Sequence, residues 1–320
     1  MPRGARELEA ALPSPSVPSL PSSDPTRRGR RAIGCMLGAM ACFVVNDALS
    51  KFVSQGLPAG QLIFLRGLMA TLLVLAVAVV LGEHRRLGAL RHPRVLLRAS
   101  VDACATVMYL LSLFRLPLGN ATAINLAAPL FMTVFAALFL RERPGAARWW
   151  AVGIGFVGVL LVVQPRGDGF NAWALLCLAA TLFHATRDLL TRGLDPAIPS
   201  IVVTLSTALA VTLLSGAMSV AEGWQPATAG QLGLLALSSA FLATAYYLLV
   251  QCMRQGEVSL TAPFRYSALL FAVGLGYAVW GDVPNAWAWA GIALLVGSGL
   301  QVIRSERNRQ PVRTLEAQAE

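Results

Sequence analysis

Charge is scarce in this chain. Of its 320 residues, 13% are Asp, Glu, Lys or Arg and 56% are apolar, and the mean hydropathy is +0.63. A soluble globule carries about 25% charged residues to cover its surface, so a density near half of that excludes an ordinary water-soluble domain and points to a surface facing lipid. Histidine is scarcer still, three residues in all. No HExxH, GxSxG or Walker-type glycine loop occurs, and no clustered acidic or His motif suggests an intramembrane enzyme. The five cysteines, Cys35, Cys42, Cys104, Cys177 and Cys252, lie inside apolar runs without CxxC or CxxH spacing and read as small buried hydrophobes. Neither a metal nor a cofactor is expected.

What the chain has in abundance is apolar length. A bilayer core about 30 Å thick needs about 20 residues at 1.5 Å rise. Ten runs approach that length: Ala32 to Val53, Gln61 to Leu81, Val95 to Phe114, Leu118 to Leu140, Trp149 to Gln164, Ala172 to Arg192, Ile198 to Ala221, Leu232 to Met253, Val258 to Trp280 and Ala286 to Ile303. They are apolar on every face, which fits helices; barrel strands would alternate apolar and polar. The fifth and tenth are short and open on tryptophans, Trp149 and Trp150 and then Trp287 and Trp289, as for rings seated at an interface.

Residues 1–31 differ, with Pro13, Pro15, Pro18, Pro21 and Pro25 among serines before Arg27, Arg28, Arg30 and Arg31. This composition predicts a disordered tail, and the length of the next run predicts a retained helix rather than a cleaved signal. Residues 304–320 form a second polar tail.

The net charge of +10 would suggest nucleic-acid binding in a soluble protein. Here it follows topology. One side of the membrane collects the N-terminal arginines, Arg85, Arg86, Arg91, Arg94, Arg141, Arg143, Arg148, Arg192, Arg254 and the C-terminal arginines; the other holds Lys51, Arg115 and Arg166. That alternation places both termini in the cytoplasm of a bacterial inner-membrane protein, with the bilayer rather than nucleic acid as its partner.

The second half of the chain repeats the first. At an offset of about 141, Asp47, Ser50, Lys51 and Pro58 meet Asp188, Thr191, Arg192 and Pro199. At about 138, Ala105, Thr106 and Tyr109 meet Ala243, Thr244 and Tyr247, and Gly153 meets Gly291. Five spans per repeat, an odd number, invert the second copy in the membrane. Inverted halves can exchange conformations around a central site, which predicts a carrier.

The stretch Asn46 to Arg66, NDALSKFVSQGLPAGQLIFLR, and the junction Leu138 to Gln164 resemble the EamA-type branch of the drug/metabolite transporter superfamily. Arg141-Glu142-Arg143 followed by Gly153 and Gly158 is similar to that family's Gly-Glu-Arg and glycine-spaced fifth helix, whereas Gly281-Asp282-Val283-Pro284 departs from it in the second copy. The resemblance spans about Arg31 to Ile303. It implies a ten-helix carrier of two EamA repeats, 32–164 and 172–303, moving small metabolites through a central cavity, often outward.

Ionisable residues near a helix centre cost about 2.5 to 3.5 kcal/mol on insertion scales, so each is a functional candidate. Measured from the span ends at 1.5 Å per residue, Asp47, Arg66 and Tyr109 fall into an outer layer. Asp102, Asp188 and Arg265 fall into an inner one, with His184 one turn from Asp188 and with Tyr247 and Gln251 as neighbours. The expected substrate-binding set is Arg66, Tyr109, Asn125, Tyr247 and Arg265; the coupling or gating set is Asp47, Asp102, His184 and Asp188. A plainer reading stands beside this one. Asp47 with Lys51, Arg98 with Asp102, and Asp188 with Arg192 are spaced i to i+4, so each carboxylate could be neutralised on its own helix. His184 and Asn125 could equally be packed or bonded to backbone. Pro129 and Pro263 predict kinks and mark their helices as candidate cavity walls. Gly34 with Gly38, and Gly153, Gly155 and Gly158, predict close helix packing.

The sequence thus predicts an all-α integral membrane protein of ten helices in two inverted repeats, a carrier of a small polar or amphipathic metabolite with proton coupling as a candidate drive. An importer of a vitamin or cofactor-like solute is the rival reading, and a non-transporting enzyme or scaffold the distant one.

Overall fold

The computed structural model describes residues 25–139, 145–164, 172–195, 197–255 and 261–307, which are helices joined by short turns, with no strand among them. We number the helices α1 (Pro25–Val53), α2 (Ala59–Val80), α3 (Pro93–Leu113), α4 (Leu118–Asn125), α5 (Ala128–Phe139), α6 (Ala146–Val163), α7 (Ala172–Arg192), α8 (Ser200–Glu222), α9 (Ala229–Gln255), α10 (Ser267–Trp280) and α11 (Ala286–Arg307). Among the described residues, eight helical stretches are long and apolar enough to cross a bilayer, with α4 and α5 forming one of them, and Ala286–Val302 is a shorter apolar helix. The surface agrees with that length. Leu213, Leu270 and Val80 are 73%, 74% and 85% exposed, a pattern that water would penalise and lipid does not.

Most limits fall within a few residues of the sequence-based ones. The first differs: α1 begins at Pro25, so the arginine-rich end of the expected tail is already helical. Pro at the start of a helix costs little, because its missing N–H would be unpaired there anyway. Residues 1–24, and with them the other prolines of that tail, lie outside the described residues, as do Arg141, Glu142 and Arg143 of the family-like motif.

Pro129 and Pro263 both lie beside irregular backbone. The fourth span breaks between Asn125 and Ala128, just before Pro129, where the Ile124 carbonyl accepts from the Ala127 N–H at 3.0 Å. Pro263 sits in a 3₁₀ turn, Ala262–Tyr266, that leads into α10. In both halves an Ala-Pro pair stands where the fourth helix of the repeat is expected, at the start of a helical segment in the first half and in the turn before one in the second.

Helix pairing reveals the symmetry. Exchange α1 with α7, α2 with α8, α3 with α9, α4–α5 with α10, and α6 with α11. The packed pair α1/α9 then becomes α7/α3, α2/α9 becomes α8/α3, and α1/α10 becomes α7 against α4 and α5, all of which are observed. The pairs α2/α8, α4/α10 and α6/α11 map onto themselves and so straddle the pseudo-two-fold axis. Thr71 and Thr212, equivalent at the offset of 141, hydrogen-bond to each other across that axis at 3.1 Å. At the α6/α11 crossing the glycines are obligatory. A Cβ on Gly158 would lie 2.8 Å from the Gly291 carbonyl oxygen, and one on Gly291 would lie 2.6 Å from that of Gly158. Gly34 and Gly153, by contrast, have open space beside them.

Candidate functional site

Buried polar side chains inside this apolar bundle collect at two depths. At the outer depth, α1 contributes Asn46 and Asp47, α2 contributes Arg66, α3 contributes Tyr109, and α9 contributes Ser238. Tyr109 donates its hydroxyl to Asp47 Oδ2 at 2.9 Å, and the Asn46 amide Nδ2 donates to Asp47 Oδ1 at 2.9 Å. The other end of that amide faces the cation: Arg66 donates to Asn46 Oδ1 from Nε at 3.2 Å and from Nη2 at 3.1 Å. Ser238 donates to the same oxygen at 2.9 Å. The amide orientation follows from its neighbours, since a flipped Asn46 would set NH₂ against a guanidinium and C=O against a carboxylate. Asn46, 1% exposed, therefore stands between Asp47 and Arg66 as a neutral bridge.

At the inner depth, ions meet directly. Arg98 on α3 pairs with Asp102 at 3.0 Å, one turn along its own helix. Arg187 on α7 reaches across to Asp102 at 2.9 Å and also holds Asp188 at 2.8 Å. Arg98 further donates to the hydroxyls of Thr191 and of Thr207 on α8. This network ties α3, α7 and α8 together.

Between the two layers lies a cavity of about 150 Å³ walled by α2 and α3 from the first half and α8 and α9 from the second. Arg66 bounds it at one depth and Arg98 with Asp102 at the other; Thr106, Thr204, Thr207, Ser239 and Tyr246 supply hydroxyls, and Leu73, Val74 and Leu242 an apolar wall. The Tyr246 ring meets Phe43 of α1 edge-on at 5.2 Å between centroids.

The sequence-predicted residues divide accordingly. Asp47, Arg66 and Tyr109 do share a layer, and Asp102 shares one with Asp188. Of the expected binding set, Arg66 alone lines the cavity. Tyr247 is 63% exposed and points away from it, while its neighbour Tyr246 takes the expected place. Arg265 is exposed on the 3₁₀ turn before α10 rather than buried with the inner aspartates. His184 bonds Asn125 at 2.9 Å, Nδ1 to Oδ1, so both are fixed at the α4–α5 break and neither reaches the carboxylates. The proline-broken spans stand outside the cavity lining.

Of the same-helix ion pairs, Arg98 with Asp102 forms. Asp47 with Lys51 does not: the Lys51 ammonium caps the end of α3 by donating to the carbonyls of Leu113 and Leu116, beneath the Trp280 ring. The carbonyl end of a helix attracts a cation, which explains the choice. The side chain of Arg192 lies outside the described residues. Asn46, Arg187 and Tyr246 escaped the sequence reading, as did the hydroxyls of Ser238 and Thr207, although Asn46 and Arg187 occupy equivalent places at the 141 offset. Among the described residues no three His, Cys, Asp or Glu side chains converge as a metal site would require.

The EamA-like transporter family model matches residues 30–164 and again 171–303. Among curated proteins, a riboflavin transporter of Rhizobium johnstonii is 29% identical over 68% of this chain and 72% of its own length. The pseudopaline exporter CntI of Pseudomonas aeruginosa is 27% identical over 86% and 97%, and an S-adenosylmethionine uptake transporter of Rickettsia bellii is 24% identical over 86% and 94%. A crystal structure of another protein superposes on 86% of this chain and 98% of its own with a TM-score of 0.60 at 20% identity, a shared fold.

Proposed function

Since the chain belongs to the EamA-like transporter family, within the drug/metabolite transporter superfamily, we propose that it is a secondary carrier moving a small polar or amphipathic metabolite by alternating access through the cavity between α2, α3, α8 and α9. The single observation behind this reading is that cavity. It carries charge and hydroxyls at mid-bundle, and it is walled equally by the two halves that the pseudo-two-fold relates. A site shared by two such halves can be opened from one side and then the other by rocking one against its partner.

The repeats run 32–164 and 172–303, and the arginine distribution supports cytoplasmic termini at the inner membrane. Export is the favoured direction, as for the pseudopaline exporter. Import of a vitamin or cofactor-like solute is the second reading, and the relatives named for riboflavin and for S-adenosylmethionine uptake support it. Asp47 and Asp188 are the proposed proton-coupling carboxylates, on the basis of their equivalent places in the two halves.

The test is a panel of amino acids, nucleosides, vitamins and organic acids screened for thermal stabilisation of the purified full chain, followed by flux of each stabilising compound in proteoliposomes with and without a pH gradient. Gradient-driven flux that becomes indifferent to the gradient in Asp47→Asn is the expected result. A full gradient-driven rate in that variant would remove Asp47 from coupling, and a well-folded chain that moves none of its ligands would overturn the carrier reading.

A further inference from the structure

We propose that Arg66 anchors an anionic oxygen group of the carried solute, a carboxylate or a phosphate, and that Asn46 keeps it available for that purpose; this rests on the carrier reading and names the substrate class of the same cavity. Three guanidinium groups border this part of the bundle. Arg98 and Arg187 are spent on Asp102 and Asp188. Arg66, only 7% exposed, has no carboxylate within ion-pair distance among the described residues, and two of its five N–H groups are used, both on the single oxygen Asn46 Oδ1. Its remaining donors belong to a side chain that lines the cavity. The carboxylate that acts on it, Asp47, is held off by the Asn46 amide and is itself occupied by Tyr109 and Asn46. A buried cation with no direct ionic contact gains from an oxyanion that reaches its free donors from the cavity.

The residue at position 46 makes the case stronger. Two Arg66 nitrogens already lie within 3.2 Å of its side-chain oxygen, so a carboxylate there would neutralise the guanidinium directly. An amide instead holds Arg66 in place through Oδ1, occupies Asp47 through Nδ2, and keeps the guanidinium out of a direct ion pair. The neighbouring hydroxyl of Tyr246 offers a donor for a lone pair of an oxyanion that a bidentate guanidinium leaves free. Leu73, Val74 and Leu242 then receive the apolar remainder of an amphipathic solute.

The probes are 3-phenylpropionate and its carboxamide, matched except for the charged group, with phenyl phosphate as the phosphate arm. Each is titrated against the full chain in non-ionic detergent, with thermal stabilisation as the readout. At least one oxyanion should bind about tenfold more tightly than the amide, the difference a hydrogen bond to a charged group makes. Whether the carboxylate or the phosphate wins identifies the group carried. The preference should vanish in Arg66→Gln and equally in Asn46→Asp, which supplies an internal counter-charge and leaves Arg66 in place, so it reports even if the first variant folds poorly. Equal stabilisation by acid and amide, stabilisation by none of the probes, or a preference that survives Asn46→Asp would overturn the proposal. Flux in proteoliposomes separates the two readings. A chain that carries a neutral or cationic metabolite yet ignores the oxyanions fails this proposal alone, whereas one that binds the oxyanions but moves nothing fails as a carrier.

Discussion

At equivalent places in its two halves the protein sets Asn46-Asp47 and Arg187-Asp188, and the single exchange of amide for guanidinium gives the two depths different characters. The inner layer joins two cations and two carboxylates by direct contacts of 2.8 to 3.0 Å. The outer layer inserts a neutral amide between one carboxylate and one cation. Direct pairing fastens helices together, here α3 to α7. An interposed amide positions both charges and cancels neither. One layer is built to hold and the other to receive, although they descend from the same local pattern.

The substitution with the largest effect should therefore lie in the inner layer. Asp102→Asn deprives Arg98 and Arg187 of their shared carboxylate, and breaking a buried pair in this way costs about 3 kcal/mol, read as a lowered Tm and a lower yield of folded protein. Asp47→Asn in the outer layer should cost less, about 2 kcal/mol, because it weakens charge-assisted hydrogen bonds from Tyr109 and Asn46 without stranding a directly paired cation. A Tm loss for Asp47→Asn that exceeds the loss for Asp102→Asn would break the contrast. Tyr109→Phe removes one hydrogen bond to the outer carboxylate and should cost about 1 kcal/mol in the same melting assay. The smallest effect belongs to the paired tyrosines. Tyr247→Ala, on the exposed face, should leave stability within about 0.5 kcal/mol of the parent and ligand affinity unchanged, while Tyr246→Ala weakens whatever ligand the cavity takes. Equal loss of affinity in both would undo the assignment of Tyr246 to the wall.

The tyrosines also show where the sequence stops informing. Depth along a helix follows from counting residues, and that count alone puts Asp47, Arg66 and Tyr109 in one layer. Azimuth does not follow when a helix is apolar all round, so choosing Tyr247 over Tyr246 had no periodicity to correct it. Lys51 illustrates a second limit. Its i+4 spacing from Asp47 is a local fact, but the carbonyls at the end of α3 that capture it come from a distant part of the chain. Arg187 was hidden for the same reason: beside Asp188 it reads as a local pair, and only the packing of α3 on α7 brings Asp102 to it. The two halves were legible through the offset of 141, which Thr71 and Thr212 satisfy in space. The breaks before Pro129 and at Pro263 were legible too, because proline removes the same backbone donor wherever it occurs. What those breaks adjoin was not.

The measurement that tests the central claim most directly is thiol labelling in proteoliposomes with a charged, membrane-impermeant reagent. In a background with the native cysteines replaced, Thr207→Cys and Ala243→Cys would place thiols in the cavity wall, and Leu237→Cys would place one on the exposed face of α9. If the cavity is the solute pathway, the two wall positions react and Leu237→Cys, in lipid, does not. Labelling of Leu237→Cys with silence at both wall positions would contradict the account, because the aqueous path would then lie elsewhere.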